Sequence, residues 1–329
     1  MKSSSFFNIF LVLLLAYFFI VIFLFFYQRK LLYHPGENNY LDDASLNHKI
    51  EKIYIPSDQK LVAWHFKKNP KYKTLLFFHG NAGKIDNRIY KLNELSKLDL
   101  NYLIFAYRGF SGNEGKPSEK GLYKDARAVK YWLNLNNIKD SEIILYGESL
   151  GTAIAVDLAK EFNFSGIILE SPFTSMVELA KKYYPYLPVK LVLKDKYETI
   201  RKLDQINSPI LIMHGAKDTI VPFEMGLKIY EIAKNNPDIT GPAMLERFRE
   251  RDTFRFLKKL AIKEHFVGSD NLKAFFEETI LAIEEQNLNS AINEILQRST
   301  IEKLDRDQKV QLSDLYNRRE KLRMKRGSQ

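Results

Sequence analysis

The chain has 329 residues, of which 45% are hydrophobic and 27% charged, and its net charge is +10. This composition is typical of a globular protein with a large core and excludes a wholly disordered chain. The absence of cysteine excludes disulfide bonds, thiolate metal sites and a cysteine nucleophile. Because the basic residues are spread widely, we interpret the positive charge as solvated surface and expect no nucleic-acid partner.

The most apolar segment lies at the N-terminus. Residues 6–27 contain no charged residue, and a helix of that length rises about 33 Å, enough to cross a hydrocarbon core of about 30 Å. The alternative is a cleaved signal peptide, whose apolar region covers only about 7–15 residues and ends in small residues. Here Tyr27-Gln28-Arg29-Lys30 follows instead. We therefore expect an uncleaved anchor within residues 1–30 that contacts membrane lipid through residues 6–27. Charges flank it on both sides and leave its orientation open.

Beyond the anchor, short apolar runs alternate with longer helical patterns. Residues 49–55 and 61–66 flank the turn Ser57-Asp58-Gln59 and predict a β-hairpin. The later runs predict strands at 74–78, 102–107, 143–146, 166–169 and 210–213, with helices at 86–98, 118–135, 150–162 and 224–234. These strands are apolar on both faces, as in sheets covered by helices on both sides. The alternation predicts an α/β fold with a mostly parallel, doubly wound sheet.

Two segments depart from this alternation. The connection at residues 171–208 is unusually long and predicts a small helical lid. Residues 241–256 are densely charged near the place of a final buried strand, and we interpret them as an insertion or a diverged junction. The last strand is then expected at 257–262 and a closing helix at 271–283. The globular domain is therefore expected to cover residues 31–286, followed by a helical, basic extension at 287–329.

The strongest motif is Gly147-Glu148-Ser149-Leu150-Gly151. It matches the G-x-S-x-G pattern, in which a strand turns sharply into a helix and presents a nucleophilic serine. An apolar strand precedes the motif and a helix follows it, so we predict Ser149 as the nucleophile. The alternative is a glycine-bounded turn with an inert serine.

A second motif, His79-Gly80-Asn81-Ala82-Gly83, follows the strand at 74–78. Acyl transfer creates an oxyanion, and each backbone N–H group aimed at it contributes about 3–4 kcal/mol. The predicted donors are the N–H of Leu150, which follows the nucleophile, and the N–H of Asn81. We interpret His79 as a residue that orders this loop rather than one that moves a proton.

Taken together, these motifs resemble the α/β-hydrolase superfamily, in particular its small-lid, membrane-anchored branch, which includes protein depalmitoylases. The resemblance covers about residues 28–235, and it implies an α/β-hydrolase fold and an ester or thioester substrate. The chain beyond Asn235 matches less well. Besides the two motifs above, the segments that carry it are Gln28-Arg29-Lys30-Leu31-Leu32-Tyr33, Tyr107-Arg108-Gly109-Phe110-Ser111-Gly112, Glu170-Ser171-Pro172-Phe173 and His214-Gly215-Ala216-Lys217-Asp218.

The resemblance also implies a triad acid after a later strand. Asp218 lies just after the strand at 210–213, where similar family members place a carboxylate that orients the catalytic base. The competing carboxylate is Glu170, which we interpret as a structural hydrogen-bond acceptor beneath the lid. The alternative role of Asp218 is to cap the helix that follows it.

The base is predicted from chain order. α/β-Hydrolases place the residues in the order serine, acid, histidine, and of the six histidines only His265 follows Asp218. The segment between Asp218 and His265 is longer than a compact strand–helix–strand unit needs. Lys263 and Glu264 replace the Gly-x-His context of the family, so a surface histidine at a strand end is the alternative.

The sequence therefore predicts a membrane-anchored serine hydrolase that acts on acyl esters or thioesters, including lipid-attached ones. Ser149 attacks the carbonyl, His265 takes its proton and Asp218 orients His265. The mechanism requires no cofactor, and the sequence contains no paired-histidine metal spacing. The alternative is a membrane-tethered scaffold that keeps the fold but has lost a working base.

Overall fold

A computed structural model describes residues 2–36, 43–236, 243–246, 292, 295–296 and 305–327 of the chain. The strands within these ranges belong to one sheet of eight strands. They are β1 (Glu51–Pro56), β2 (Lys60–Phe66), β3 (Thr74–Phe78), β4 (Asn101–Phe105), β5 (Ile143–Glu148), β6 (Gly166–Glu170), β7 (Ile210–His214) and β8 (Ala243–Glu246).

Helices precede, separate and follow these strands. They are α1 (Lys2–Leu32), α2 (Ile89–Leu95), α3 (Glu119–Leu135), α4 (Leu150–Ala159), α5 (Met176–Tyr183), α6 (Val189–Val192), α7 (Phe223–Asn235) and α8 (Arg306–Gly327). Helix α8 lies within the segment for which the sequence predicted a helical, basic extension.

The order of strands in the sheet is β1-β2-β4-β3-β5-β6-β7-β8. Strand β2 pairs antiparallel with β1 and with β4, and all the other pairs are parallel. The chain moves from β3 to β4 on one side and then returns to place β5 on the other side of β3. This reversal makes the carboxyl ends of β3 and β5 a topological switch point, where open α/β sheets bind their ligands.

The centre of the sheet is buried on both faces. Every residue of β3, β4, β6 and β7 is buried, and so is every residue of α4. This burial explains why these strands read as continuous apolar runs instead of alternating ones. The predicted doubly wound α/β fold is confirmed.

Most predicted elements form within two residues of their expected ends, including the β1–β2 hairpin. Two helices are shorter than expected. The helix predicted at 86–98 begins as the 3₁₀ turn Ile85–Arg88 and ends at Leu95, and the helix predicted at 150–162 ends at Ala159. Between β6 and β7 the chain forms α5, α6 and the 3₁₀ segment Thr199–Gln205, which confirms the small helical lid.

The strand next to β7 differs from the sequence expectation. It is β8, which pairs parallel with β7 inside the segment interpreted as an insertion or diverged junction. Only Ala243, Met244 and Leu245 are apolar there, and a four-residue strand is too short to give a periodic signal. The strand expected at 257–262 and the helix expected at 271–283 lie outside the described residues.

Candidate active site

Ser149 lies between the last residue of β5 and the first residue of α4. Its backbone has φ +50° and ψ −111°, a conformation that is strained for any residue with a side chain. A Cβ atom at Gly147 would lie 2.6 Å from Thr152 Cα, and one at Gly151 would lie 2.0 Å from the carbonyl oxygen of Phe78. Only glycine therefore permits this tight turn, which explains both glycines of the motif.

Asn81 and Leu150, the two predicted oxyanion donors, have backbone N–H groups without an acceptor among the described residues. Leu150 is the first residue of α4, so its N–H has no acceptor within the helix. Asn81 lies three residues beyond the end of β3, which pairs with β5 through Phe78 and Gly147. The N–H of Ser149 itself donates to the carbonyl of Glu170 at 2.8 Å.

Asp218 lies in the loop after β7, with its carboxylate held by the backbone. Its Oδ1 accepts the N–H groups of Ile220 and Val221, both at 2.9 Å. Its Oδ2 lies 3.7 Å from His214 Nε2 and accepts no hydrogen bond from the described residues. This arrangement fixes the carboxylate and leaves one oxygen for a further partner. Helix α7 begins at Phe223 after Pro222 as its N-cap residue, so Asp218 is not the helix cap.

The two buried histidines at this edge of the sheet are held in the neutral form. Burial lowers the pKa of His79 to about 3, and its Nδ1 pairs with the carbonyl of Gly80 at 2.8 Å. Burial also lowers the pKa of His214, whose Nε2 pairs with the carbonyl of Val221 at 2.9 Å. Both rings are committed to structural hydrogen bonds, which agrees with the interpretation of His79 as a loop-ordering residue.

The sheet register brings four of the predicted residues to one edge. Asn81, Ser149, Leu150 and Asp218 all follow the carboxyl ends of β3, β5 and β7, which are parallel. His265 lies outside the described residues. Among the described residues, no group of three or more histidines and carboxylates is placed to hold a metal ion.

Sequence reasoning missed a group of buried charges beside Ser149. Arg88 and Lys91, from the turn and helix after the Asn81 loop, form ion pairs with Glu148, and Lys91 also pairs with Glu170. The Glu170 carboxylate accepts a hydrogen bond from Tyr146 as well, so it serves as a structural acceptor. The sequence did carry one signal of this cluster, which is the charged residue Glu148 within the nucleophile motif.

The segment that follows α1 is bound to the Asn81 loop. His34 N–H donates to the carbonyl of Asn81 at 3.4 Å, and Gly83 N–H donates to the carbonyl of His34 at 3.0 Å. The Asn81 side-chain amide donates to the carbonyl of Leu32. The loop that carries one predicted oxyanion donor is therefore anchored from outside by residues 32–34.

The end of α1 is bound to the lid. Gln28 Nε2 donates to the carbonyl of Val192 at 2.9 Å, and Gln28 Oε1 accepts the N–H of Lys194 at 2.6 Å. Arg29 donates twice to the buried carboxylate of Asp195, at 2.7 and 3.0 Å. These contacts give a structural role to the Gln28–Tyr33 motif, which the resemblance singled out.

Comparison with known proteins decides the family. The α/β hydrolase domain-containing protein WAV2 of Arabidopsis thaliana is 32% identical over 238 residues, which cover 64% of this chain and 77% of WAV2. This chain belongs to the α/β-hydrolase superfamily. The lysophosphatidylserine lipase ABHD12 of Danio rerio is 33% identical over 210 residues, or 57% of this chain and 55% of that lipase.

The fold of this α/β-hydrolase is also found among solved structures. An esterase of Pyrococcus furiosus superposes with a TM-score of 0.56 at 20% identity, over 70% of this chain and 96% of that esterase. The model of the prolyl oligopeptidase family matches residues 118–245, which include Ser149 and Asp218. A second model, DNA primase DnaG DnaB-binding, matches residues 222–315, which include His265. Membership of the α/β-hydrolase superfamily and the similarity to a lipase support a hydrolase.

Proposed function

We propose that the protein is a serine hydrolase that cleaves carboxylic esters or thioesters. The observation that carries this proposal is the strained backbone of Ser149, held between two glycines that no larger residue can replace. Strain of this kind persists where a surrounding structure enforces it, and it is typical of functional sites. The turn lies at the switch point of the sheet, and the N–H groups of Asn81 and Leu150 at the same edge have no acceptor among the described residues, which supports the proposal.

The proposed reaction proceeds through an acyl-enzyme. Ser149 Oγ attacks the substrate carbonyl while His265 takes its proton, and Asp218 stabilises the imidazolium that forms. The N–H groups of Asn81 and Leu150 bind the oxyanion. His265 then gives the proton to the departing alcohol or thiol. Water attacks the acyl-enzyme with His265 as base, which releases the carboxylic acid and restores the Ser149 hydroxyl.

A fluorophosphonate probe tests this proposal, because it phosphonylates activated serines. We expect the wild-type protein to be labelled and the Ser149→Ala variant to show no labelling. The matched control is Ser171→Ala. Ser171 follows β6 at the same edge of the sheet and also has a positive φ, of 50°, but lies outside the nucleophile motif. This variant should be labelled as the wild type is.

The same experiment separates the enzyme from the alternative scaffold. The scaffold hypothesis rests on the chain beyond residue 241, where Lys263 and Glu264 precede His265 in place of the family's Gly-x-His context. If correctly folded wild-type protein is not labelled, or if Ser149→Ala is labelled as strongly as wild type, the serine-hydrolase proposal is wrong.

We further propose that α1 anchors the protein in a membrane through residues 6–27. The most apolar 18-residue window of the segment Phe6–Leu32 has a mean hydropathy of 3.2, and this window is not buried against the rest of the described chain. Its C-terminal end contacts the lid and the residues after it contact the Asn81 loop, so a membrane-inserted α1 would hold the active site close to lipid-attached substrates.

Carbonate extraction tests this anchor. We expect the full-length protein to remain in the membrane pellet, and a chain that begins at Phe26 to be soluble and folded. A chain that begins at Leu31 should unfold roughly 2–8 °C lower than the Phe26 chain, because Asp195 loses the Arg29 cation. A native N-terminus trimmed to about residue 30, or release of the full-length protein by carbonate, would contradict the proposal.

A further inference from the structure

Four charged side chains are clustered beside the nucleophile turn. Arg88, Lys91 and Glu170 are buried, and Glu148 is partly buried. They come from three parts of the chain that meet at the carboxyl edge of the sheet. Burying charges is costly, and paired apolar residues of similar size often give equal or greater stability. Stability alone therefore does not account for this cluster, and its location suggests a role in the reaction.

Arg88 connects the Asn81 loop with the nucleophile turn. Its Nη1 donates to the carbonyl of Ala82 at 2.6 Å, and its Nη2 donates to Glu148 Oε1 at 2.8 Å. Ala82 follows Asn81, and Glu148 precedes Ser149. The Arg88 guanidinium thus connects the residue after Asn81 with the residue before Ser149. In the proposed reaction, the relative position of Asn81 and Ser149 decides the geometry of acyl transfer.

The glycine in the second position of the His79–Gly83 motif makes room for this link. A Cβ atom at Gly80 would lie 2.8 Å from Glu148 Oε1 and 3.0 Å from Arg88 Nη2. The Arg88–Glu148 pair therefore occupies the space that a side chain at residue 80 would fill. The loop backbone at Gly80 is thus packed directly against the Arg88–Glu148 ion pair.

The rest of the cluster extends the link to the next strand. Lys91 Nζ donates to Glu148 Oε2 at 2.9 Å and to Glu170 Oε2 at 2.7 Å. The carbonyl of Glu170 accepts the N–H of Ser149 at 2.8 Å. Burial raises the pKa of Glu148, but Lys91 and Arg88 outweigh it and hold that pKa below its usual range. Glu148 is thus ionised at neutral pH and remains paired with both cations.

We propose that Arg88 is a positioning residue that, through Ala82 and Glu148, holds the N–H of Asn81 at the correct distance from Ser149 and from the N–H of Leu150. This inference rests on the proposed serine-hydrolase function. The planar guanidinium binds two acceptors in fixed directions, whereas a lysine ammonium at the same place presents a single point charge. The hydrogen-bond partners of Arg88 are Ala82, Lys84 and Glu148, so its proposed role is to position other groups.

The effect of its removal follows from the geometry of oxyanion stabilisation. Losing one oxyanion donor costs about 10²–10³-fold in kcat, and a displacement of about 1 Å costs about 10²-fold. We expect Arg88→Gln to lower kcat by about 10–100-fold and to change KM by less than about 3-fold, because the donors act mainly in the transition state. Arg88→Lys should recover only part of this loss.

The matched control is Arg127→Gln. Arg127 also forms ion pairs with two carboxylates, Asp157 and Glu161, but these join α3 to α4 and to the residues just after α4, outside the Arg88 cluster. We expect this variant to lower the thermal midpoint without lowering kcat of the folded protein. Thermal unfolding is measured for every variant.

Two further measurements distinguish positioning from a merely structural role. An aryl boronic acid forms a tetrahedral adduct with an active serine, and its affinity should fall in Arg88→Gln by the same factor as kcat. Guanidinium ion added to Arg88→Ala should restore part of kcat, since it refills the vacated position. Glu148→Gln is the second variant, used if Arg88→Gln does not fold, because it keeps the side-chain volume. It should show the same loss of kcat.

The outcomes separate the two proposals. If Ser149→Ala abolishes hydrolysis but Arg88→Gln and Glu148→Gln keep wild-type kcat and boronate affinity, the positioning role is overturned and the serine-hydrolase proposal stands. The positioning role is equally overturned if both variants only lower the thermal midpoint. If Ser149→Ala keeps wild-type hydrolysis, the proposed function itself fails.

Discussion

Replacement of His265 by glutamine is expected to lower turnover by about 10⁴-fold or more. Replacement of Ser149 by alanine should cause a loss of the same size. Triad members act as a unit, so removing the base leaves only the catalysis supplied by substrate binding and the oxyanion donors. The double variant Ser149→Ala/His265→Gln should be little worse than either single variant. The measurement is kcat for an ester and a thioester substrate, with circular dichroism to verify folding.

The control for this variant is His48→Gln. His48 is a partly exposed histidine that pairs with Asn47 and Tyr102, away from the edge of the sheet that carries Ser149 and Asp218. It should retain wild-type turnover. Near-wild-type turnover in a correctly folded His265→Gln variant would eliminate His265 as the base. In the active enzyme, His265 Nε2 should lie within hydrogen-bond reach of Ser149 Oγ.

Replacement of Asp218 by asparagine should lower kcat by about 10⁴-fold, because an amide favours the wrong tautomer of the base and cannot stabilise its cation. Folding should persist, since the amide oxygen of asparagine can still accept the N–H groups of Ile220 and Val221. The exposed Asp204 supplies the control, and Asp204→Asn should leave kcat unchanged.

Glu170 is the competing candidate for the triad acid, and the same kind of substitution tests it. Its carboxylate pairs with Lys91 and Tyr146, so it is not free to orient a base, and Glu170→Gln should reduce kcat far less than Asp218→Asn. If Asp218→Asn were active and Glu170→Gln inactive, the triad acid would be Glu170 and the assignment of Asp218 would be wrong.

The central strands and the nucleophile turn were predictable because their signals are local. A strand buried on both faces reads as an unbroken apolar run, and the predicted strand at 74–78 forms over the same residues. The turn at Ser149 requires glycine at two fixed positions, for the close approaches to Thr152 and Phe78. Local composition therefore determined both features.

Other features depend on partners distant in sequence and were not predictable. Strand β8 pairs with β7, although its own apolar run is only three residues long. The Gln28–Tyr33 motif was noticed, but Gln28 and Arg29 bind Val192, Lys194 and Asp195, more than 160 residues away. A single sequence carries no signal of such pairs.

The buried charges illustrate the same limit at the site itself. Glu148 stands between Gly147 and Ser149, where periodicity assigns it neither to the core nor to the surface. Its partners Arg88 and Lys91 lie on a helical segment that reads as an ordinary polar face. Only the three-dimensional contacts show that this glutamate joins the nucleophile turn to the loop that bears Asn81.

Trapping of the acyl-enzyme tests the central claim most directly. Full-length protein is mixed with excess p-nitrophenyl ester, quenched in acid within the first turnovers, digested and analysed by mass spectrometry. We predict a single acyl group on the peptide that contains Ser149, absent from Ser149→Ala and formed more slowly in Arg88→Gln. Turnover of the ester with no acyl group on Ser149, or an acyl group on Ser171 instead, would contradict the proposed mechanism.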